Sequence, residues 1–309
     1  MRHDGLRYIG LGRTDEKIPV IGLGTWKYGA NEKKELEALE AGIDAGARFI
    51  DTAELYGSEG IVGKAVKGRD DVFIASKVFS SHLRHDDVLA ACDASLKRLG
   101  IKTIDLYQLH FPNHSVPISE TMSAMELLVK QGKIRYIGVS NFSIGELEEA
   151  RSVMKSNEIV SNQVEFSILT RDAKKGLLEH CQREKTTLIA YSPLGSGALY
   201  TLKYAKLLDE LSAIGKAHGK TATQIALAWL LANEGVAVIP KAASKEHVIE
   251  NVGAADIVLK DAELSRIDAV IRRYGKAPVW PGGVFRTLLK HTTFWYKRSE
   301  KRYGNKMED

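Results

Sequence analysis

The sequence predicts an α/β fold, specifically a (β/α)8 barrel with an N-terminal β-hairpin and a C-terminal extension, and three observations carry that reading. Eight short apolar runs of β type alternate with stretches whose apolar residues recur at helical spacing. Such alternation along one chain requires parallel βαβ units. The glycine pattern of an open nucleotide-binding sheet is missing: Gly10-Leu11-Gly12 is followed by Asp15, and Gly22-Leu23-Gly24 by Lys27, where a third glycine belongs. No Walker loop occurs either, so the closed barrel is favoured. The 309 residues suit such a barrel of about 250 residues with additions.

The elements follow in order. A hairpin is expected first, from 6–11 and 18–21. The eight barrel strands are expected at 21–26, 49–53, 72–77, 104–110, 136–141, 161–166, 187–192 and 237–241. Helical stripes fall between them: Leu36, Leu39, Ile43 and Ala47 form one, and Val88, Ala91, Cys92, Ser95, Leu96 and Leu99 another. No Pro-, Gly- or Ser-rich linker divides the chain, which predicts one domain over 1–309 with 275–309 as the extension.

Composition narrows the class. With 44% hydrophobic and 27% charged residues, the chain is globular. A net charge of +5 is mild and does not by itself imply nucleic acid, and no nucleic-acid partner is expected. From Lys290 onward six Lys or Arg face three acids, interleaved with Phe294, Trp295, Tyr296 and Tyr303. That basic aromatic tail is expected to pack its rings and solvate its charges. Cys92 and Cys181 are far apart and lack metal-type spacing, so no metal is expected and a reduced cytoplasmic setting is. The first residues carry no apolar signal core. The most apolar run, 224–231, is too short to span a bilayer, so no membrane partner is expected. The oligomeric state is left open.

Chemistry in such barrels sits where strands end. Strand two runs into Asp51 and on to Tyr56, strand three into Lys77, and strand four into His110. A free tyrosine titrates at about 10, and a neighbouring ammonium favours its phenolate. Lys77 can play that part for Tyr56, with Asp51 holding Lys77 and His110 polarising a substrate carbonyl. Each residue alone is more simply a cap, an ion pair or a satisfied core group. All four together, at corresponding strand ends, point to proton transfer onto a carbonyl oxygen. A hydride must then come from a nicotinamide, because no side chain donates one.

These residues resemble the aldo-keto reductase signature. Ile50-Asp51-Thr52-Ala53 through Tyr56-Gly57, Ser76-Lys77 and Leu109-His110 carry it. Gly22-Leu23-Gly24-Thr25-Trp26 is similar to that family's first strand, and Lys133 to Phe142 to its fifth. Asn162-Gln163, Ala190-Tyr191-Ser192-Pro193-Leu194-Gly195-Ser196-Gly197 and Ile239-Pro240-Lys241 are similar to the last three. The resemblance spans about residues 7 to 255. It implies reduction of aldehydes and ketones, small carbonyls or sugars, with Tyr56 as proton donor and Asp51, Lys77 and His110 as partners. It implies that Ser140, Asn141 and Gln163 hold the nicotinamide carboxamide and that Tyr191 stacks on the ring. Ser192, Leu194, Gly195 and Ser196 would hold the pyrophosphate, Lys241 the 2′-phosphate, and Glu250 and Asn251 the adenine. Thr25, Trp26 and His247 complete the expected cofactor set, while Trp26, Phe79 and Phe111 are expected in the substrate pocket.

Two positions depart from the pattern. Ala242 and His247 stand where many relatives have serine and arginine, so the clamp on a 2′-phosphate is thinner. Lys241 still implies NADP(H) as the preferred cofactor, with NAD(H) also usable. A cofactor-sensing regulatory subunit and a structural protein are the alternative roles on the same fold.

Overall fold

A computed structural model describes residues 6–274. The extension expected at 275–309, with its basic aromatic run, lies outside the described residues. The chain enters through an antiparallel hairpin, β1 (Tyr8–Gly10) with β2 (Lys17–Pro19). Eight strands then pair in parallel and in chain order: β3 (Leu23–Gly24), β4 (Phe49–Asp51), β5 (Phe73–Val78), β6 (Ile104–Leu109), β7 (Ile134–Ser140), β8 (Ile159–Glu165), β9 (Thr187–Tyr191) and β10 (Val236–Val238). The expected strands are all present, within a few residues of their predicted ends.

Closure depends on the first and last strands. Gly22 N–H donates to Val238 O at 2.8 Å, Gly24 N–H to Pro240 O at 3.2 Å, and Val238 N–H to Val20 O at 2.9 Å. Parallel bridges join Ile21 to Val238 and Gly24 to Lys241. The sheet is therefore a barrel, without the free edges of an open sheet. The expected first strand, 21–26, shortens to a two-residue ladder because Thr25 N–H already turns to Asp51 O at 3.1 Å.

Among the described residues ten helices pack outside: α1 (Glu32–Asp44), α2 (Glu59–Ala65), α3 (His85–Leu99), α4 (Ile118–Lys130), α5 (Ile144–Ser152), α6 (Leu177–Arg183), α7 (Ala205–His218), α8 (Ala222–Leu231), α9 (Lys245–Val252) and α10 (Asp261–Arg272). Local sequence sets several ends. Asn31, Ser143, Thr221 and Ser244 cap the starts of α1, α5, α8 and α9 by accepting from backbone N–H groups of the first turn. Gly100 and Gly219 end α3 and α7 in the left-handed conformation a helix C-terminus needs. The predicted stripes turn inward: Leu39 and Ile43 of α1, and Val88, Cys92, Ser95 and Leu99 of α3, are buried. The very apolar 224–231 run is a core helix buried along its whole length. Among the described residues no helix is long and apolar enough to cross a membrane.

Alternation along the strands divides the core. Ile50, Ile74, Val78, Tyr107, Leu109, Ile137 and Val139 pack with helix residues. Phe49, Phe73, Leu106, Val160, Ile189 and Ala237 instead pack with one another and with Leu11 and Ile18 of the hairpin. The hairpin thus stoppers one end of the barrel with apolar side chains, leaving polar residues to the other. Gly24→Ala places a Cβ 2.6 Å from Ile239 O across the closing seam. It should destabilise the fold by about 1–3 kcal/mol, read as a lowered midpoint in urea unfolding.

Candidate active site

The four residues predicted at strand ends converge at the open end of the barrel. Asp51 ends β4, a single helical turn (Glu54–Tyr56) carries Tyr56, Lys77 lies on β5, and His110 follows β6. Lys77 Nζ donates to Asp51 Oδ1 at 2.5 Å and to Thr52 O at 2.9 Å. The same nitrogen lies 3.3 Å from the Tyr56 hydroxyl, which is in turn 3.4 Å from His110 Nε2. Lys77 is 0% exposed and Asp51 1%. A charge so deeply buried persists only when paired, and here it is.

Burial dominates the titration behaviour. It pushes the Tyr56 hydroxyl well above 10.0, and the Asp51 carboxylate adds to the rise. The expectation that Lys77 lowers Tyr56 is therefore corrected. Asp51 sits closer to the ammonium than Tyr56 does and offsets its field, while desolvation penalises the phenolate. Burial also lowers Lys77, against the opposing pull of Asp51 and of Glu59, a carboxylate held by Ser76 and Arg98. His110 is driven well below 6.5 by burial first and the Lys77 charge second, so its imidazole is neutral near pH 7. The turn thus presents a protonated phenol beside a neutral imidazole and a buried cation.

Sequence reasoning missed the far side of the ion pair. Asp51 Oδ2 accepts from Gln163 Nε2 at 2.7 Å and from Gln108 Nε2 at 3.4 Å. Gln108 was signalled only as a lone amide inside an apolar strand, Leu106-Tyr107-Gln108-Leu109. Glu54 was missed as well: its Oε1 accepts from the Phe79 N–H and from His82 Nδ1, tying the Tyr56 turn to the pocket wall.

The expected wall residues gather there. The Trp26 ring meets Tyr56 edge-on at 4.8 Å, and Phe111 stacks on His110 at 4.8 Å. Phe79 stands edge-on to His110 at 6.0 Å. Trp26 is 48% exposed, a large aromatic left open at the mouth.

The expected cofactor residues line the ends of the later strands. Ser140 Oγ donates to Gln163 O at 2.9 Å. Asn141 Nδ2 donates to His110 O at 3.1 Å, and Asn141 Oδ1 accepts from the Tyr191 hydroxyl at 3.0 Å. Ser192, Gly195, Ser196 and Gly197 all have left-handed backbones, with Leu194 between them. Of the five non-glycine residues with positive φ among the described residues, three, Asn141, Ser192 and Ser196, lie here. Leu194 in the right-handed region followed by left-handed Gly195 is a backbone pattern that can turn successive N–H groups to one side, a concavity suited to anions. Lys241 is exposed on the closing seam, after the next strand. That donor set, a cationic end and an aromatic end with buried amides between, fits a phosphorylated nicotinamide dinucleotide. Glu250 lies on α9 with Oε1 accepting from Thr221 Oγ1 at 2.7 Å, Asn251 is buried, and His247 is exposed on the first turn of that helix. Thr25 is drawn inward: its hydroxyl donates to Asp51 O at 3.0 Å and meets Ser58 Oγ at 2.9 Å. Among the described residues no three His, Cys, Asp or Glu side chains group as a metal site.

A closed barrel whose strand ends carry this cluster defines a class of carbonyl-handling oxidoreductases. The chain matches the model of the Aldo/keto reductase family over residues 20–272 and belongs to that family, so it is an NAD(P)-dependent oxidoreductase. It is 38% identical over 262 residues to methylglyoxal reductase YeaE of Escherichia coli, covering 82% of this chain and 91% of that one. It is 37% identical over 262 residues to glyoxal reductase of Bacillus subtilis, covering 82% and 89%. Among solved structures, a thermostable aldo-keto reductase in complex with the inhibitor epalrestat superposes with a TM-score of 0.81 at 45% identity, covering 86% of this chain and 100% of that one. An aldo/keto reductase from Klebsiella pneumoniae in complex with NADP and acetate gives 0.78 at 39%, covering 85% and 94%.

Removing one member of the buried pair should be severe. Lys77→Met strands the Asp51 charge and should lower stability by about 3–5 kcal/mol in urea unfolding. Asp51→Asn combined with Lys77→Met should recover part of that loss.

Proposed function

We propose that the chain reduces small aldehydes and ketones to alcohols with NADPH, and that Tyr56 protonates the carbonyl oxygen. The observation that carries this reading is the Tyr56 hydroxyl, within reach of both Lys77 Nζ and His110 Nε2. A nicotinamide held by Ser140, Asn141, Gln163 and Tyr191 would supply the hydride for the carbonyl carbon. Oxygen then gains negative charge, and a group ready to hand over a proton lowers the barrier. Tyr56, kept protonated by burial, is that group. Its own phenolate, formed in the step, is stabilised by the Lys77 ammonium, which Asp51 orients. Neutral His110 donates or accepts one hydrogen bond and can steady the substrate oxygen without carrying charge.

Ser140, Asn141 and Gln163 would hold the carboxamide, with Tyr191 against the ring. The left-handed loop from Ser192 through Ser196 would take the pyrophosphate. Lys241 would meet the 2′-phosphate, which supports NADPH over NADH, and Glu250, Asn251 and His247 would border the adenine. Trp26, Phe79 and Phe111 wall the place a small carbonyl would occupy. Relatives named for methylglyoxal and glyoxal reduction support compact substrates of that kind.

The test is loss of NADPH absorbance on mixing with methylglyoxal. Tyr56→Phe should lower kcat by about 10²–10⁴-fold with NADPH binding unchanged. Full activity in that variant would overturn the assignment. The pH profile offers a second check. A neutral His110, with its pKa well below 6.5, and a protonated Tyr56, with its pKa well above 10.0, leave kcat for reduction flat across neutral pH. Activity should fall at high pH only as Tyr56 ionises.

A further inference from the structure

Tyr28 follows β3 and is 6% exposed, yet it belongs neither to the reacting cluster nor to the pocket wall. Its hydroxyl donates to Ala242 O at 2.5 Å, on the segment after β10. One residue earlier, the Lys241 ammonium lies 5.5 Å from the centre of the Tyr28 ring. Lys241 is exposed, and among the described residues no carboxylate is within ion-pair distance of it. The distinction matters physically. A carboxylate would orient the ammonium and cancel its charge, whereas an aromatic face orients it and leaves the charge available to an anion.

The hydroxyl contact is equally suited to positioning. Burial and the nearby Glu35 carboxylate push the Tyr28 phenol far up, so it remains a donor to Ala242 O at any working pH. Glu35 is itself occupied, with Oε2 accepting from Gly29 N–H at 2.8 Å. Around this cation the chain offers little else. Ala242 has no side-chain donor, and His247 stands on the exposed side of the first turn of α9, its backbone N–H 3.5 Å from Ser244 Oγ. Neither supplies the planar fork that grips a phosphate through two hydrogen bonds.

We propose that Tyr28 is the positioning residue that sets this chain's preference for the phosphorylated dinucleotide, pinning the Lys241–Ala242 backbone through its hydroxyl and aiming the Lys241 ammonium with its ring. The proposal rests on the reading that NADPH is the cofactor. It links the loop that carries Trp26 to the phosphate end of the site through one side chain.

Isothermal titration of the whole chain with NADPH and with NADH tests it without turnover. Tyr28→Leu should weaken NADPH binding about two- to fivefold, as expected for loss of a solvent-exposed cation–π contact, and leave NADH binding unchanged. Tyr28→Phe keeps the ring and should lose a smaller part of the preference. Lys241→Ala should abolish the preference, and adding Tyr28→Leu to it should change the ratio of the two affinities no further. An unchanged ratio in both Tyr28 variants, beside a wild-type preference for NADPH, overturns the role of Tyr28 alone. A wild-type chain that binds both cofactors equally overturns the NADPH reading and this proposal together.

Discussion

Lys77 is wholly buried, and its ammonium lies 2.5 Å from Asp51, itself 1% exposed. Neither charge could stay inside the barrel without the other, so this contact constrains everything around it. Asp51 has a second oxygen to satisfy, and Gln163 and Gln108 turn their amides to it from β8 and β6. Lys77 has further protons to place, and Thr52 O and the Tyr56 hydroxyl receive them. Four strands and one helical turn are thereby held in a common geometry by the need to keep one cation paired in a low-dielectric interior. The result is a tyrosine kept protonated by burial yet flanked by the cation that favours its conjugate base.

The barrel can tolerate that polar cluster because its interior is divided by depth. Phe49 precedes Asp51 by two on β4, as Leu106 precedes Gln108 on β6, and strand alternation points both members of each pair the same way. The apolar members meet Leu11 and Ile18 of the hairpin and close one end. The polar members face the other, where Trp26, Phe79 and Phe111 surround Tyr56 and His110 with aromatic surface. Aromatic walls of this kind exclude water and raise the strength of every charge interaction beside them.

The cofactor side is governed by the seam that closes the barrel. Gly24 passes so near Ile239 that no side chain fits, and the bridge from Gly24 to Lys241 places an exposed lysine just past the last strand. The loop after β9 holds Ser192 and Ser196 in left-handed conformations, which surrounding structure must enforce. The shape and charge of this end of the barrel are thus a by-product of how the strands are made to meet.

Much was legible without coordinates. Alternating strand and helix patterns determined the barrel, because hydrophobic periodicity reflects only local geometry and one buried face per element. The gathering of Asp51, Tyr56, Lys77 and His110 was legible too, since barrel strands end on one face and each of the four lies at such an end or in the turn that follows it. What only the tertiary structure decided was the company these residues keep. The direction of the Tyr56 shift depends on how deeply the phenol is buried and on the Asp51 carboxylate beside it, neither of which spacing encodes. Gln108, Glu54 and Tyr28 act on partners 57, 25 and 214 positions away. Their roles arise because closing the barrel brings distant strand ends together, and no local pattern along the chain records which of those ends will touch.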